Sequence, residues 1–527
     1  MLQSVLIDGQ WRASHGRETF RAENPATAEP LEDEFPISDW RDCDSALDAA
    51  VRAFEAMRAM PAEKIAGFLE EYAAAIDARA AELVAIANAE TALAVTPRLK
   101  DVELPRTTGQ LRQAAAAARE GSWTIPTIDT KANIRSCLEP LGPVWVFGPN
   151  NFPFAFNSIA GGDFAAAIAA GCPVIAKANS SHPGTTRLLG ELAHQAAQRT
   201  GMPAAIVQLI YRTGHADGLK IVADRRTGAT AYTGSRAAGL ALKGAADAAG
   251  KPIYLELSSI NPVVILPGAI EERGEKLAEE FAGSCLMGTG QFCTNPGLVL
   301  VIAGAATEKM IENMAARFKA APVGTLLSGR VQKSLVESIG ELTKAGAKVL
   351  AGAAAGGGKG HCFANTLLRV SGAQFMEQAE EFQREAFGNA SLVVVAKDTN
   401  ELIGALDRLE GNLTGCVYSA TSGADDDLYA RIAARLRPKV GRLLNDKMPT
   451  GVAVSQAMNH GGPFPATGHP GFTAVGIPAA LRRFGALACY DNVRPARLPP
   501  LLKDKNPTGK TWRLVDGAWA TTDVGVG

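Results

Sequence analysis

The rhythm of apolar and polar positions changes twice along this chain. Residues 2 to 11 alternate around Asp8-Gly9, the pattern of a short hairpin. From about 40 to 120 apolar residues recur at helical spacing, in alanine-rich amphipathic stretches such as Leu69 to Ala87. Residues 130 to 142 read as extended. Beyond them, short apolar runs alternate with helical segments. Strands are predicted over Val144 to Phe147, Val174 to Lys177, Ile206 to Tyr211, Ala229 to Tyr232 and Ile253 to Leu257. Helices are predicted between them over Phe156 to Ala170, Gly184 to Arg199, Ala216 to Ala223 and Ser235 to Ala249. Continuous apolar strands separated by helices imply a parallel sheet covered on both faces. Such sheets bind ligands beyond the carboxyl ends of their strands. A second α/β region spans about 260 to 460, with strands predicted over Val263 to Leu266, Leu298 to Ile302, Ser391 to Val395 and Arg442 to Leu444. Its glycine-rich stretch Ala351 to Gly360 reads as a surface turn. The proline-rich tail from about 478 holds one strand-like piece, Ala486 to Tyr490.

Composition narrows the class. A chain of 527 residues exceeds one core, so two or three domains are expected. With 47% apolar and 20% charged residues the sequence suits a globular enzyme and not a disordered chain. The net charge of -1, without a basic patch, gives no sign of a nucleic-acid or membrane-surface partner. The eight cysteines are scattered with no Cys-x-x-Cys pair, so no metal site is expected and a reducing cytoplasm suits them. Neither a signal-peptide pattern nor an 18-residue apolar run is present.

Candidate chemistry centres on Cys293, in Gly288-Thr289-Gly290-Gln291-Phe292-Cys293-Thr294-Asn295-Pro296. Small flanking residues leave a thiol reachable, whereas a packing cysteine such as Cys285 sits among apolar ones. Glu256 ends a predicted strand and is a candidate base; the alternative is a strand-end ion pair. Asn151, before Phe152-Pro153, is a candidate oxyanion donor; the alternative is an Asx turn. Thiol, carboxylate and carboxamide together suit acyl transfer at a carbonyl.

Two strand ends carry candidate cofactor contacts. Thr233-Gly234-Ser235-Arg236-Ala237-Ala238-Gly239 opens a helix, where glycines let backbone approach a phosphate or simply make the turn. In Ile175-Ala176-Lys177-Ala178-Asn179-Ser180-Ser181 no Asp or Glu follows Lys177 before Arg187. A carboxylate there would hold an NAD ribose; lysine with hydroxyls suits a 2′-phosphate, so NADP is preferred, with NAD possible. Arg212 and His215 are candidates for added charge, or solvated loop residues.

These residues resemble the aldehyde dehydrogenase superfamily over nearly the whole chain. The matching motifs run in order: Asn24-Pro25-Ala26-Thr27, Asn150-Asn151-Phe152-Pro153, Ala176-Lys177-Ala178-Asn179, Tyr232-Thr233-Gly234-Ser235, Leu255-Glu256-Leu257, Gly290-Gln291-Phe292-Cys293 and Glu385-Ala386-Phe387-Gly388. The resemblance implies Cys293 as nucleophile, Glu256 as general base and Asn151 as oxyanion donor. It implies cofactor contacts at Lys177, Asn179, Ser180, Arg212, Gly234, Ser235, Gly239, Leu257, Glu385 and Phe387. By analogy Phe156, Phe292 and Phe464 would line the substrate entry.

The sequence departs from the family's common pattern at Leu257-Ser258-Ser259-Ile260-Asn261-Pro262, at Asn389 and at Ser180. With these it is most similar to the NADP-accepting branch of α-ketoglutaric semialdehyde (2,5-dioxopentanoate) and fatty-aldehyde dehydrogenases. The expected substrate is 2,5-dioxopentanoate. Alternatives are a long-chain or broad-range aldehyde, a CoA-acylating reaction, and a silent binding paralogue. Arg482 or Arg483 is a candidate for a substrate carboxylate. The implied architecture is a Rossmann-type cofactor domain (1–124 and 143–255), a catalytic α/β domain (256–477), and an oligomerisation arm with the C-terminal segment (125–142 and 478–527). The arm would carry an unpaired edge for a second subunit in a homodimer or homotetramer.

Overall fold

The computed structural model describes residues 1–525. Two seven-stranded sheets organise it. In the first, strands Ile253–Glu256, Ala229–Thr233, Val144–Phe147, Val174–Lys177 and Val207–Ile210 lie side by side in that order, all parallel. The N-terminal hairpin Val5–Ile7 and Gln10–Arg12 extends the sheet antiparallel beyond Val207–Ile210. Register aligns the carboxyl ends: Phe147 pairs with Lys177, Lys177 with Ile210, Tyr232 with Phe147, and Thr233 with Glu256. Every loop carrying candidate cofactor chemistry in this half leaves from that one edge.

In the second sheet the order is Lys348–Ala351, Thr366–Ser371, Ala390–Ala396, Leu298–Ile302, Val263–Ile265, Asn412–Tyr418 and Val440–Asn445. Only Lys348–Ala351 is antiparallel to its neighbour. Its strands alternate between two cores. Val264, Leu298, Leu300, Leu392 and Val394 join one, while Val263, Ile265, Val299, Val301 and Val393 join the other. This period of two is what a sheet covered on both faces demands. Cys293 lies just ahead of Leu298–Ile302 and Glu385 just ahead of Ala390–Ala396. The chemistry therefore sits between the carboxyl edge of the first sheet and the amino edge of the second.

Several sequence expectations shift here. The helix expected from Phe156 begins only at Gly162 and ends at Ala169. Asn157 intervenes: its Oδ1 accepts the Ile159 amide at 3.0 Å and its Nδ2 donates to the Pro153 carbonyl at 2.8 Å, a local turn that competes with helix. Strands Thr366–Ser371 and Asn412–Tyr418 were not anticipated. The arm strand Ile134–Pro140 is not an edge strand. It lies between Thr127–Asp129 and the C-terminal strand Gly485–Asp491 in a five-stranded sheet completed by Arg513–Val515 and Ala518–Ala520. The free edges belong to Gly485–Asp491 and Ala518–Ala520 instead.

Candidate active site

Glu256 is the last residue of its strand, so its side chain projects from the carboxyl edge of the first sheet. It is buried, and its Oε1 lies 3.0 Å from Nε2 of His460. The same Nε2 lies 3.4 Å from the Cys293 sulfur. The reactive atoms of Glu256, Cys293 and His460 all fall within 4.8 Å of one another. The other Glu256 oxygen, Oε2, is buried without a partner. Enclosure by protein and the neighbouring Glu256 carboxylate push the Cys293 thiol well above its ordinary pKa. The resting sulfur is a thiol, with His460 Nε2 and the Glu256 carboxylate both beside it. The three donors also suit a soft divalent cation, which would block the sulfur.

Sequence reasoning missed His460. It lies in the loop His460-Gly461-Gly462-Pro463, pinned by its own amide to Thr473 Oγ1 at 3.0 Å and by the Ala474 amide to its carbonyl at 2.9 Å. The glycines give the reason for the pattern: a Cβ on Gly462 would lie 2.2 Å from the Asn412 carbonyl oxygen. A polar residue bordered by glycines that only close packing requires was the available signal.

The backbone around Cys293 is held from several sides. Gly288, Thr289 and Gly290 all have positive φ, at 56°, 58° and 68°. For the β-branched Thr289, four residues before Cys293, this is a costly conformation. Gly290 cannot be replaced, since a Cβ there would lie 2.0 Å from the Gly388 carbonyl oxygen. Asn261 donates from Nδ2 to the carbonyls of Cys293 and Asn295 at 2.9 and 2.8 Å.

Asn151 reaches the same loop. Its Nδ2 donates to the Gln291 carbonyl at 3.0 Å. Its own segment rests on a buried carboxylate that the sequence did not reveal. Glu103 Oε1 accepts the amides of Phe154 and Ala155 at 2.8 and 3.0 Å, and its second oxygen pairs with Arg98. Arg98 in turn donates to the Asn151 carbonyl at 2.9 Å. Of the expected entry aromatics, Phe156 and Phe292 join the site. Phe152 packs 5.0 Å from Phe156 and 5.7 Å from Phe292, and Phe156 lies 5.6 Å from His460, ring centre to ring centre. Phe464 does not join them; it is 59% exposed. Nor do the arginines proposed for a carboxylate: Arg483 is buried against Asp163 at 2.7 Å, and Arg482 is on the surface.

At the carboxyl edge Lys177 donates to the Ala178 carbonyl at 3.2 Å and, among the described residues, meets no carboxylate. Burial and the nearby Arg212 charge push it down to about 8. Arg212 is exposed and likewise unpaired among the described residues. Two uncompensated cations side by side fit an anionic group. Asn179 Nδ2 donates to the Gly148 carbonyl at 3.1 Å and its Oδ1 accepts the Ser181 amide at 3.0 Å, while Ser180 is partly exposed beside them. Ser235 caps the helix Arg236–Ala248 without using its side chain, leaving the helix's first amides open. Gly239 has a packing reason as well: a Cβ there would lie 2.4 Å from Leu257 Cδ2. Gly234 donates its amide to the Glu256 carbonyl at 3.1 Å, and the Leu257 amide donates to the Ala466 carbonyl at 2.8 Å. His215 is exposed at the start of the next helix.

Glu385 and Phe387 lie ahead of Ala390–Ala396 and line a narrow cavity with Ser259, Phe292 and Asn295. Glu385 is held by Ser258 and the Ser259 amide, and burial lifts it to about 7. Ser259 is used otherwise: its Oγ donates to Asn261 Oδ1 at 2.9 Å and accepts the Leu413 amide at 3.0 Å.

A cysteine, a histidine and a carboxylate thus lie together at the meeting edges of two largely parallel sheets, beside a strand end that suits an anion. The chain belongs to the aldehyde dehydrogenase family, which matches residues 11–462. It is 40% identical to α-ketoglutaric semialdehyde dehydrogenase 2 of Azospirillum brasilense, over 98% of this chain and 99% of that one. It is 35% identical to the α-ketoglutaric semialdehyde dehydrogenase of Acinetobacter baylyi (strain ATCC 33305 / BD413 / ADP1), over 97% and 98%. In fold it is similar to lactaldehyde dehydrogenase from Escherichia coli, with a TM-score of 0.80 at 21% identity over 93% of this chain and 98% of that one. A 1-pyrroline-5-carboxylate dehydrogenase from Thermus with bound NAD gives 0.80 at 22% identity, over 93% and 92%. No described helix is long and apolar enough to cross a membrane.

Proposed function

We propose that the protein oxidises 2,5-dioxopentanoate to 2-oxoglutarate with NADP. The observation that carries the chemistry is the convergence of the Cys293 sulfur and Glu256 Oε1 on one nitrogen, His460 Nε2, at 3.4 and 3.0 Å. The substrate follows from the two semialdehyde dehydrogenases to which the chain is similar over their whole length.

The thiol proton passes to the pair formed by His460 Nε2 and Glu256 Oε1 as the sulfur bonds to the aldehyde carbon. The carbonyl oxygen gains the negative charge, and Asn151 Nδ2 exchanges its bond to the Gln291 carbonyl for one to that oxygen; such a donor lowers the barrier by roughly 3 kcal/mol. NADP, when bound, supplies the acceptor for the aldehyde's hydride, and the carbon is left as a thioester on Cys293. Glu256, its Oε2 free of other partners, takes a proton from water as the water oxygen attacks. The carbon–sulfur bond breaks, the thiol regains its proton, and the acid leaves. A buried carboxylate with a histidine beside it equips the site to activate water, which favours hydrolysis over transfer to CoA.

The residues suited to hold the cofactor are Lys177, Asn179, Ser180 and Arg212 at the adenosine end, the Gly234–Gly239 turn at the diphosphate, and Leu257, Glu385 and Phe387 at the nicotinamide end. The unpaired Lys177 and Arg212 support a 2′-phosphate. We further propose that residues 1–124 and 143–255 form the cofactor domain and 256–477 the catalytic domain. The five-stranded sheet would join subunits of a cytoplasmic homo-oligomer, a reading supported by its exposed Leu487, Trp512 and Trp519.

Steady-state rates with 2,5-dioxopentanoate, succinic semialdehyde and decanal, each with NADP and NAD, test this reading. The expected result is the highest kcat/KM for 2,5-dioxopentanoate with NADP. Decanal ahead, or NAD well ahead of NADP, would contradict it.

A further inference from the structure

Arg106 is a cation without a counterion among the described residues. Its helix, Leu104–Glu120, follows the segment bearing Arg98 and Glu103, yet the three charges are used differently. Arg98 is paired with Glu103 and bonded to the Asn151 carbonyl. Arg106 makes one hydrogen bond, from Nε to Gln110 Oε1 at 3.2 Å, and no ion pair among the described residues. Its Nη2 is buried with no partner. The guanidinium lies 5.1 Å from the Phe156 ring centre and 5.8 Å from that of Phe152. Phe156 is the ring packed against His460, and Phe152 the one packed against Phe292, next to Cys293. Arg106 is near enough for its charge to lower the Cys293 thiol against the upward push of burial, and burial in turn lowers Arg106 itself. Leaving a buried donor of this kind unmade is costly in a finished site, while the faces of two phenylalanines repay only part.

We infer that Arg106 binds the distal carboxylate of the substrate, making the site selective for aldehydes that carry a carboxylate a few carbons from the reacting carbon. The unpaired Nη2 supplies the missing hydrogen bond, and the planar guanidinium can meet a carboxylate with two parallel bonds. Phe152, Phe156 and Phe292 enclose the carbon chain between the two polar ends. The inference rests on the proposed oxidation of a carboxylated aldehyde and names the residue that selects it.

The experiment compares succinic semialdehyde with its methyl ester, and 2,5-dioxopentanoate with pentanal, in wild type, Arg106→Gln and Arg106→Lys. Thermal unfolding and NADPH fluorescence report whether each variant is folded and binds cofactor. In Arg106→Gln, kcat/KM for the carboxylated members should fall about 10- to 100-fold, mainly through KM, with the ester and pentanal changed less than about threefold. Arg106→Lys should recover part of the loss. Equal losses for charged and neutral aldehydes, or no loss for either, would overturn the assignment. If wild type itself shows no preference for the charged member of each pair, the proposed substrate fails; if the preference exists and survives Arg106→Gln, only the role of Arg106 fails.

Discussion

At the scale of single residues, function rests on environments that move protons in opposed directions. The Cys293 thiol is held protonated by enclosure and by Glu256, so attack depends on the base that touches it. His460→Ala should therefore lower kcat for aldehyde oxidation by roughly 100-fold or more, within the range of a positioned general base. Pre-steady-state NADPH formation should slow with it, whereas a merely structural role would leave the rate of the first turnover unchanged in folded protein. Lys177 gives a pH prediction. Its folded-state pKa is depressed to about 8, so it is charged below that pH and neutral above. The preference for NADP over NAD in kcat/KM should fall as pH rises through about 8, and Lys177→Arg, which stays charged, should flatten that decline. A preference independent of pH in wild type would separate Lys177 from the 2′-phosphate.

At the scale of elements, the segment 151–155 shows how a distant carboxylate positions chemistry. Glu103 is fully buried, receives two amides and pairs with Arg98. Glu103→Gln leaves Arg98 facing a neutral partner in a site that is nearly closed. It should cost about 3–5 kcal/mol of stability, read as a lower unfolding temperature, and should lower kcat as Asn151 loses its support. Unchanged stability would mean that the pair contributes little to the cradle. None of this was legible in the sequence, because Glu103 and Arg98 carry no motif and act across 50 residues. The strands of the first sheet were legible because helices cover both faces, leaving uninterrupted apolar runs such as Val144–Phe147. Asn412–Tyr418 escaped notice for the converse reason. It is buried yet contains Asn412 and Thr414, whose polar groups bond to Ser259, Ile260 and Asn261. Cys293, Glu256 and Asn151 could be found from their neighbours, and the structure brings all three to one place. His460 offered only the weak signal of its following glycines, and Arg106 none, since a loop and a helix far apart in the chain present them.

At the scale of the whole molecule, the carboxyl edge of one sheet meets the amino edge of the other, and on the proposed reading the first half holds the dinucleotide while the second presents the sulfur. The five-stranded sheet ties the C-terminal segment to the arm, since Gly485–Asp491 pairs with Ile134–Pro140. On the proposed mechanism the aldehyde's carbon becomes covalently attached to Cys293 before water releases it. The direct measurement is mass spectrometry of Glu256→Gln protein quenched after mixing with 2,5-dioxopentanoate and NADP. One equivalent of NADPH and a 2-oxoglutaryl group on the peptide containing Cys293 are expected. NADPH release by this variant with Cys293 unmodified at every time point, or the acyl group on another residue, would contradict it.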